Sequence, residues 1–277
     1  MARKMIFTRG YWPLPVFKSA YANGKWHAAA SRKTSPKEAS MELPKRLSGV
    51  VVLEARIGKA LSKKICLKSG GKNILFSRWF GGLYSNASTR SPSQVREYYN
   101  AIAARYEHNT EPEREKQLET IAIHLKKILP KNASVLDASA GRCLFARVAK
   151  KHGLVVTSMD ISEKMLSSNG WRGKKVLGSI TRPPFAKGSF DCVVHLFSNL
   201  LSYDRKAFPA FHSMLAKGGV LVYLPVKSPG EQWLPGWREK AMARLEGSGF
   251  EKMEKISIPS IGRKKSVLTF IQARKKA

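Results

Sequence analysis

Two aspartates in this sequence have the setting of a nucleotide-binding site. Asp137 and Asp160 each end a strand-like run, and Asp160 lies 23 residues after Asp137. The residues from 138 to 141 are all small, so the backbone can turn sharply and approach a ligand with its N–H groups and the following helix N-terminus. An acid about 20 residues beyond such a loop accepts the hydroxyls of a ribose. The alternative for Asp160 is a helix N-cap, for which Ser162 serves as well.

The loop after Asp137 contains a single glycine, Gly141, where dinucleotide-binding loops carry several. A side chain forced to positive φ costs about 1–2 kcal/mol. We therefore expect Ser139 and Cys143 to keep negative φ.

The elements around these residues alternate between strand-like and helix-like patterns from residue 94 onward. The expected helices span residues 95–106, 118–129, 144–151, 162–168, 204–216 and 237–245. The expected strands span residues 134–138, 154–159, 175–177, 190–197, 220–226, 254–258 and 266–273. Repeated strand–helix–strand units predict parallel strands covered by helices, and the last two strands, with no helix between them, predict an antiparallel edge hairpin.

The fold class predicted from this order is α/β, with a doubly wound, mostly parallel, seven-stranded Rossmann-like sheet. Such sheets bind ligands outside the carboxyl ends of their strands, where the strand order reverses. The domain predicted to carry this sheet spans residues 91–277. Residues 1–90 lack sustained periodicity and are expected to form a basic, weakly structured extension, with a short amphipathic helix over residues 55–67.

Four segments resemble, in order and spacing, the motifs of class I S-adenosylmethionine-dependent methyltransferases. They are DASAG at 137–141, MDISEKML at 159–166, PPFAKGSFDCVV at 183–194 and LAKGGVL at 215–221. The resemblance covers residues 95–275 and is nearest to the ubiquinone and menaquinone biosynthesis subgroup (methyltransferase type 11 domain). It implies S-adenosylmethionine as cofactor and a helix at residues 95–107 that closes over it.

The resemblance also implies which residues bind the cofactor. The methionine end would lie against the loop after the first strand, the ribose against Asp160, and the adenine against Ile161. The full set that it implies is Tyr106, Asp137, Ala138, Ser139, Gly141, Asp160, Ile161, Ser179, Ile180 and Leu196. Ser179 stands where the family has an acid for the adenine amino group, and Ser139 and Cys143 replace loop glycines. These departures put cofactor affinity in doubt.

The candidates for contact with a methyl acceptor follow the fourth and fifth strands. His195 is a candidate general base, or a strand-end histidine that only packs. Asn199 is a candidate to orient an acceptor oxygen, or a turn residue. Trp233 and Trp237 are candidates for the wall of a flat apolar pocket, or for packing.

Three functions remain open at this point. The first is methyl transfer to a small molecule, quinone-like or lipid-like. The second is an RNA methyltransferase that binds phosphates through residues 1–90, although an Asn-Pro-Pro-Tyr type loop after the fourth strand is absent. The third is an inactive binding protein that kept the fold, for which the substituted loop positions are the motive.

The charge of the chain is strongly positive, with 50 Lys and Arg against 19 Asp and Glu and a net charge of +31. Residues 1–90 contribute +15 of this excess with only three acids, and their aromatic residues alternate with Lys and Arg. Trp12, Tyr21, Trp26 and Trp79 are the aromatic residues in question. This pattern favours RNA or another polyanion as a partner, and the alternative is a generally basic proteome.

Other classes of site are not indicated. Three cysteines without CxxC spacing predict neither a disulfide framework nor a zinc site, and the histidines form no ligand pair. No apolar run reaches the roughly 18 residues of a membrane span. We expect a cytoplasmic protein, while the acid-free first 37 residues leave an organellar transit peptide open. The sequence does not indicate an oligomeric state.

Overall fold

The computed structural model describes residues 92–106, 111–168, 170–198, 204–225, 237–261 and 267–276, together with the backbone of the strands among residues 3–75. Backbone contacts divide the chain into two compact units. The first unit comprises residues 1–86 and 93–102, and the second comprises residues 87–92 and 103–277. Four residues for which functions were predicted above lie outside the described residues: Trp12, Trp79, Asn199 and Trp233.

The described part of the first unit contains eight short strands. They are β1 (Arg3–Thr8), β2 (Val16–Ala22), β3 (Lys25–Ala28), β4 (Ser31–Ser35), β5 (Glu38–Leu43), β6 (Val50–Ile57), β7 (Leu61–Gly70) and β8 (Asn73–Leu75). They form a three-stranded sheet of order β1-β5-β4 and a five-stranded sheet of order β3-β2-β6-β7-β8. All pairs in both sheets are antiparallel.

The helix expected over residues 55–67 is wrong, because residues 55–57 belong to β6 and residues 61–67 belong to β7. Ile57 pairs with Leu61, and Leu53 pairs with Ile65, across an antiparallel ladder. The spacing of four between Ile57, Leu61 and Ile65 fits strands as well as a helix. Side chains alternate between the two faces of a strand, so residues an even number of positions apart share a face. The β-branched residues of both strands then favour the extended backbone.

The second unit contains a seven-stranded sheet of order β11-β10-β9-β12-β13-β15-β14. Its strands are β9 (Ser134–Ala138), β10 (Val155–Asp160), β11 (Lys175–Leu177), β12 (Phe190–Ser198), β13 (Leu215–Pro225), β14 (Phe250–Pro259) and β15 (Val267–Lys275). Strands β9 to β13 pair in parallel, whereas β15 is antiparallel to both β13 and β14. The predicted doubly wound α/β sheet with an antiparallel edge hairpin is confirmed.

Six helices are described, and most lie within three residues of their predicted bounds. They are α1 (Pro92–Ile102), α2 (Glu111–Ile128), α3 (Leu144–Lys151), α4 (Glu163–Ser167), α5 (Asp204–Met214) and α6 (Trp237–Glu246). Helix α2 begins seven residues before its predicted start, because its first two turns are polar and carry no apolar spacing to reveal them. No helix among the described residues is long and apolar enough to cross a membrane.

Two apolar clusters lie on opposite faces of the seven-stranded sheet. Val135 belongs to the first cluster, with Leu125 of α2 and Phe145 of α3. The next residue along the strand, Leu136, belongs to the second cluster, with Phe208 of α5. Because consecutive strand residues point to opposite faces, this alternation places helices on both faces. The sheet is therefore held rigidly, and its carboxyl edge provides a fixed platform.

Candidate functional site

The two aspartates singled out in the sequence lie at the carboxyl ends of neighbouring parallel strands. Asp137 is in β9 and pairs with Ser158, while Asp160 ends β10. Strand β9 lies between β10 and β12, so the strand order reverses beside Asp137. Ligands of open α/β sheets bind at this position. The structure thus brings both acids to the expected edge.

Asp160 fixes the loop after β9 to the end of β10. Its Oδ2 accepts a hydrogen bond from the Gly141 N–H at 2.8 Å, and its Oδ1 accepts one from the Ser162 N–H at 2.9 Å. The hydroxyl of Ser162 accepts from the Met165 N–H at 3.1 Å and is the N-cap of α4. Asp160 is therefore not the N-cap, and the capping role falls to Ser162.

The carboxyl of Asp160 is buried, and burial raises its pKa from the ordinary value. The backbone N–H groups of Ser162, Gly141 and Ile161 oppose this rise because they stabilise the charged form. A carboxylate oxygen has more than one lone pair, so each oxygen of Asp160 can still accept from a ligand hydroxyl.

The loop after β9 adopts left-handed backbone at three residues. The φ angles are +70° at Ser139, +52° at Gly141 and +55° at Cys143. The expectation of negative φ at Ser139 and Cys143 is therefore wrong. Each side chain tolerates a conformation that costs about 1–2 kcal/mol. The substituted positions keep the loop shape that glycines would give.

Hydrogen bonds within the protein hold this strained loop. The Ala140 N–H donates to the Met159 carbonyl at 2.9 Å, and the Cys143 N–H donates to the Ala140 carbonyl at 2.8 Å. With the bond from Gly141 to Asp160, three loop N–H groups have protein acceptors. The loop N–H groups were expected to donate to a ligand. These three instead set the loop conformation, as is usual where backbone strain persists.

Asp137 provides the clearest indication of a ligand. The residue is 3 % exposed, and its Oδ2 has no hydrogen-bond partner among the described residues. Burial, and then the nearby Asp160, raise the pKa of Asp137 to about 8. A buried acceptor without a donor is unfavourable by about 1–3 kcal/mol. A ligand with a positive charge or an N–H group beside the loop would remove this penalty, and the ammonium of S-adenosylmethionine fits that description.

His195 lies in β12 and is almost completely buried. Its Nδ1–H donates to the carbonyl of Ala138 at 2.9 Å, because a carbonyl can only accept. The ring stacks on Tyr223 with centroids 5.8 Å apart and contacts Phe211 at 5.2 Å. Burial lowers the pKa of His195 to about 4. This arrangement favours the packing alternative, with the ring neutral and the loop carbonyl fixed.

The hydroxyl of Ser179 makes its hydrogen bonds within the turn that follows β11. Its Oγ accepts from the Thr181 N–H at 3.3 Å and lies 3.0 Å from the Thr181 hydroxyl, while the Ser179 carbonyl accepts from the Arg182 N–H. Ile180 is buried against the second apolar cluster, and Ile161 is partly exposed after β10. Ser179 therefore shapes the turn that presents this edge of the site.

The segment before α2 is tied to the loop by a residue that the sequence analysis missed. Arg142 donates to the Tyr106 carbonyl at 3.4 Å and to the Ser168 carbonyl at 3.3 Å. Tyr106 follows a 3₁₀ turn at Ala103–Arg105 and is partly buried. The position of an arginine directly after Gly141 was the only available signal in the sequence.

The end of β12 carries a second feature that the sequence did not reveal. Phe197 has φ +55° at a register irregularity between Leu196 and Ser198. The guanidinium of Arg114, on α2, lies 5.1 Å from the centre of the Phe197 ring. Leu196 is buried in the first apolar cluster. Bulges and left-handed bulky residues are frequent beside active sites, where they redirect a side chain.

Comparison with known proteins agrees with the geometry. Residues 136–223 match the family described as "Methyltransferase domain". This match supports S-adenosylmethionine as the predicted cofactor, while the domain bounds of 91–277 stay a prediction. It does not extend to the ubiquinone and menaquinone subgroup. No curated protein matches the chain.

Three solved structures illustrate the similarity of fold. A 1,6-didemethyltoxoflavin-N1-methyltransferase from Burkholderia thailandensis has 16% identity and a TM-score of 0.48, over 76% of this chain and 96% of that one. A SAM-dependent methyltransferase from Thermotoga maritima has 17% identity and a TM-score of 0.44, over 64% and 100%. One from Methanosarcina mazei has 16% identity and a TM-score of 0.41, over 56% and 96%. At these identities and TM-scores the similarity says nothing about the acceptor.

Proposed function

We propose that the chain transfers the methyl group of S-adenosylmethionine to a small-molecule acceptor that is quinone-like or lipid-like, since residues 136–223 match a methyltransferase domain. The observation that carries the proposal is the buried Asp137, whose Oδ2 has no donor among the described residues, beside a loop in left-handed conformation. A retained loop shape also removes the motive for an inactive binding protein.

The residues proposed to hold the cofactor surround the carboxyl ends of β9, β10 and β11. Asp137 accepts from the methionine ammonium, and Asp160 accepts from the ribose hydroxyls. Ile161 and Ile180 border the adenine. Ser179 shapes the turn beside the adenine and, unlike an acid, brings no charge to it. The remaining contacts proposed are Tyr106, Ala138, Ser139, Gly141 and Leu196.

The cofactor supplies a methyl group on a positively charged sulfur, which a nucleophile displaces in line. The protein then contributes mainly proximity and orientation, which are worth several kcal/mol in well-placed pairs. The rigid loop between Asp137 and Cys143 serves this purpose because its conformation is fixed by Met159, Asp160 and Ala140. No charged base is required for the step.

His195 is proposed to act as a positioning residue rather than as the general base. The neutral ring is 1 % exposed, and the pKa of His195 lies at about 4, so it is a poor proton acceptor near pH 7. Its bond to the Ala138 carbonyl instead holds the start of the loop.

The proposed acceptor site lies at the end of β12. The ring of Phe197 offers a flat apolar wall, and Arg114 adds a positive charge above that ring. A flat apolar acceptor with an oxygen nucleophile suits this pair. Asn199, Trp233 and Trp237 remain proposed acceptor contacts.

The cofactor part of the proposal is tested by calorimetric titration of the full chain with S-adenosylmethionine. We expect saturable binding that Asp160→Ala weakens by more than tenfold, because the loop anchor and the ribose acceptor are both lost. Glu246→Ala, an exposed acid on α6, is the control and should bind normally. No saturable binding to the wild-type chain would overturn the proposal.

The acceptor part is tested with tritiated cofactor on a cell extract separated into lipid, small-molecule and RNA fractions. We expect label in the lipid or small-molecule fraction, and none with Asp160→Ala. Label confined to the RNA fraction would overturn the small-molecule acceptor and favour the RNA methyltransferase.

A further inference from the structure

The register of the five-stranded sheet in the first unit sorts its residues onto two different faces. Residues directly paired in an antiparallel sheet lie on the same face, and the face alternates along each strand. Tyr21 of β2 pairs with Trp26 of β3 on one side and with Val52 of β6 on the other. Val52 in turn pairs with Cys66 of β7. These four residues form one row across a single face.

The rows on either side of this one bring basic residues to the same face. Lys64 and Lys68 lie two positions on either side of Cys66 along β7. Lys64 pairs with Glu54 of β6, and Lys68 pairs with Val50 of β6. Arg56 pairs with Val16 of β2 and with Ser62 of β7. We call this the aromatic-basic face; its aromatic and basic members are Tyr21, Trp26, Arg56, Lys64 and Lys68, and its other members are Val16, Ser19, Ala28, Val50, Val52, Glu54, Ser62, Cys66, Gly70, Asn73 and Leu75.

The opposite face of the same sheet is mostly apolar. Its rows pair Phe17 with Ala55, Leu53 with Ala20 and Ile65, and Ile57 with Leu61. We call this the apolar face, and its members are Phe17, Ala20, Ala22, Lys25, His27, Val51, Leu53, Ala55, Ile57, Leu61, Lys63, Ile65, Leu67, Ser69 and Ile74. Antiparallel sheets commonly pack one face on a core and leave the other solvated. Because most of its residues are apolar, the apolar face is the one suited to packing on a core.

The aromatic-basic face places aromatic and cationic residues at a spacing that a polymer could bridge. Strands β2 and β7 are two strand spacings apart, about 10 Å, and Lys64 and Lys68 lie about 7 Å from Cys66 along β7. Both lysines are therefore about 12 Å from Tyr21. Glu54, which pairs with Lys64 on this face, is the only acid in the strands of this sheet, so the face carries three basic residues against one acid, and residues 1–90 carry 18 basic residues against three acids.

We propose that the aromatic-basic face binds single-stranded RNA. Unpaired bases stack on aromatic residues, while lysine and arginine neutralise the phosphates of the same strand. The cross-strand pair of Tyr21 and Trp26 supplies the first component, and Arg56, Lys64 and Lys68 supply the second. Duplex bases are already stacked on each other, so an aromatic pair favours a single strand. This surface is independent of the proposed methyl transfer.

The test uses the full chain and a fluorescein-labelled single-stranded RNA of 20 nucleotides that forms no hairpin, with binding followed by anisotropy at 50 and 200 mM KCl. Three phosphate contacts predict a loss of about 20-fold in affinity between these concentrations. Lys64→Ala with Lys68→Ala should weaken binding at 100 mM KCl by more than tenfold and reduce the slope of log affinity against log salt by about 1.4.

The matched control is Lys25→Ala with Lys63→Ala, which removes the same charge from the apolar face. We expect this pair to change affinity by less than threefold. Equal losses from both lysine pairs would overturn the proposal, because total charge and not this face would then govern binding. An absence of RNA binding by the wild-type chain would also overturn it.

The aromatic component has its own readout. Trp26→Ala should weaken RNA binding by at least fivefold, whereas Trp26→Phe should retain most of it. A second comparison needs no variant: the affinity of the wild-type chain for the single strand is compared with its affinity for the corresponding 20-base-pair duplex. Equal or tighter binding of the duplex would overturn recognition of a single strand by stacking.

Discussion

Backbone strain at Ser139 gives the first prediction at the scale of single residues. Its φ of +70° is unfavourable for any residue with a β-carbon. Ser139→Gly relieves this strain but adds freedom to the unfolded chain, so we expect a net gain of about 0.5–1 kcal/mol in the free energy of unfolding. Urea denaturation measures it. Ser139→Ala keeps a β-carbon and should give no such gain, and equal gains would contradict the strain.

The ionisation of Asp137 gives the second prediction. Its pKa is raised from 3.8 to about 8 in the folded protein, so the folded state holds a proton that the unfolded state has lost between these values. The free energy of unfolding should therefore fall as pH rises from about 4 to about 8. Asp137→Asn cannot ionise and should show a smaller fall. Urea denaturation at pH 5 and pH 8 makes the comparison, and identical slopes would exclude Asp137 as the source.

The same proton couples to cofactor binding. A positive charge beside Asp137 stabilises its ionised form, so binding of S-adenosylmethionine near pH 7 should release close to one proton. The affinity of the chain for S-adenosylmethionine should therefore rise as the pH is raised toward 8. Calorimetry in two buffers with different ionisation enthalpies measures the release, which Asp137→Asn should abolish. Proton uptake by the wild-type chain would have the wrong sign.

At the scale of elements, His195 joins β12 to the loop that follows β9. The bond from its Nδ1–H to the Ala138 carbonyl can be reproduced by the amide of an asparagine. His195→Asn should therefore bind cofactor within about threefold of wild type and keep methyl transfer within about tenfold. His195→Leu should weaken cofactor binding by about tenfold, because the buried carbonyl loses its donor.

The pH profile distinguishes this positioning role from base catalysis. With the pKa of His195 at about 4, kcat/KM should show no His195 ionisation between pH 6 and 7. General-base catalysis contributes 10²–10⁴-fold. A loss of that size in His195→Asn, with cofactor affinity unchanged, would restore His195 as the base.

The elements from residue 92 onward were largely predictable from sequence, whereas the strands among residues 3–75 and the local conformation of the loops were not. Strands β9 and β11 and helix α3 have the predicted bounds, because apolar periodicity and buried runs mark them. The start of α2 was missed because its first turns are polar. The left-handed φ at Ser139 and Phe197 depends on hydrogen bonds and strand pairing distant in sequence, and residue type alone argued against it.

At the scale of the whole molecule, the positive charge is divided almost equally between unequal lengths of chain. Residues 1–90 carry +15 and residues 91–277 carry +16. The density of charge is thus about twice as high in the shorter part. Self-repulsion at this density is relieved by a polyanion or by salt. The methyltransferase motifs all lie in the longer part, so cofactor binding and polyanion binding are expected to separate.

A chain that begins at residue 91 tests this separation and the proposed division at residues 90 and 91. Asp137, Asp160, His195 and the hydrogen bonds of the loop all belong to residues 103–277. We therefore expect the shortened chain to bind S-adenosylmethionine within about threefold of the full chain, by calorimetry. It should lose at least tenfold in affinity for single-stranded RNA, because the aromatic-basic face is removed. If circular dichroism shows that the shortened chain is folded and the chain keeps its RNA affinity, the polyanion site lies within residues 91–277 instead. Loss of cofactor binding in that folded chain would instead make residues 1–90 part of the cofactor site.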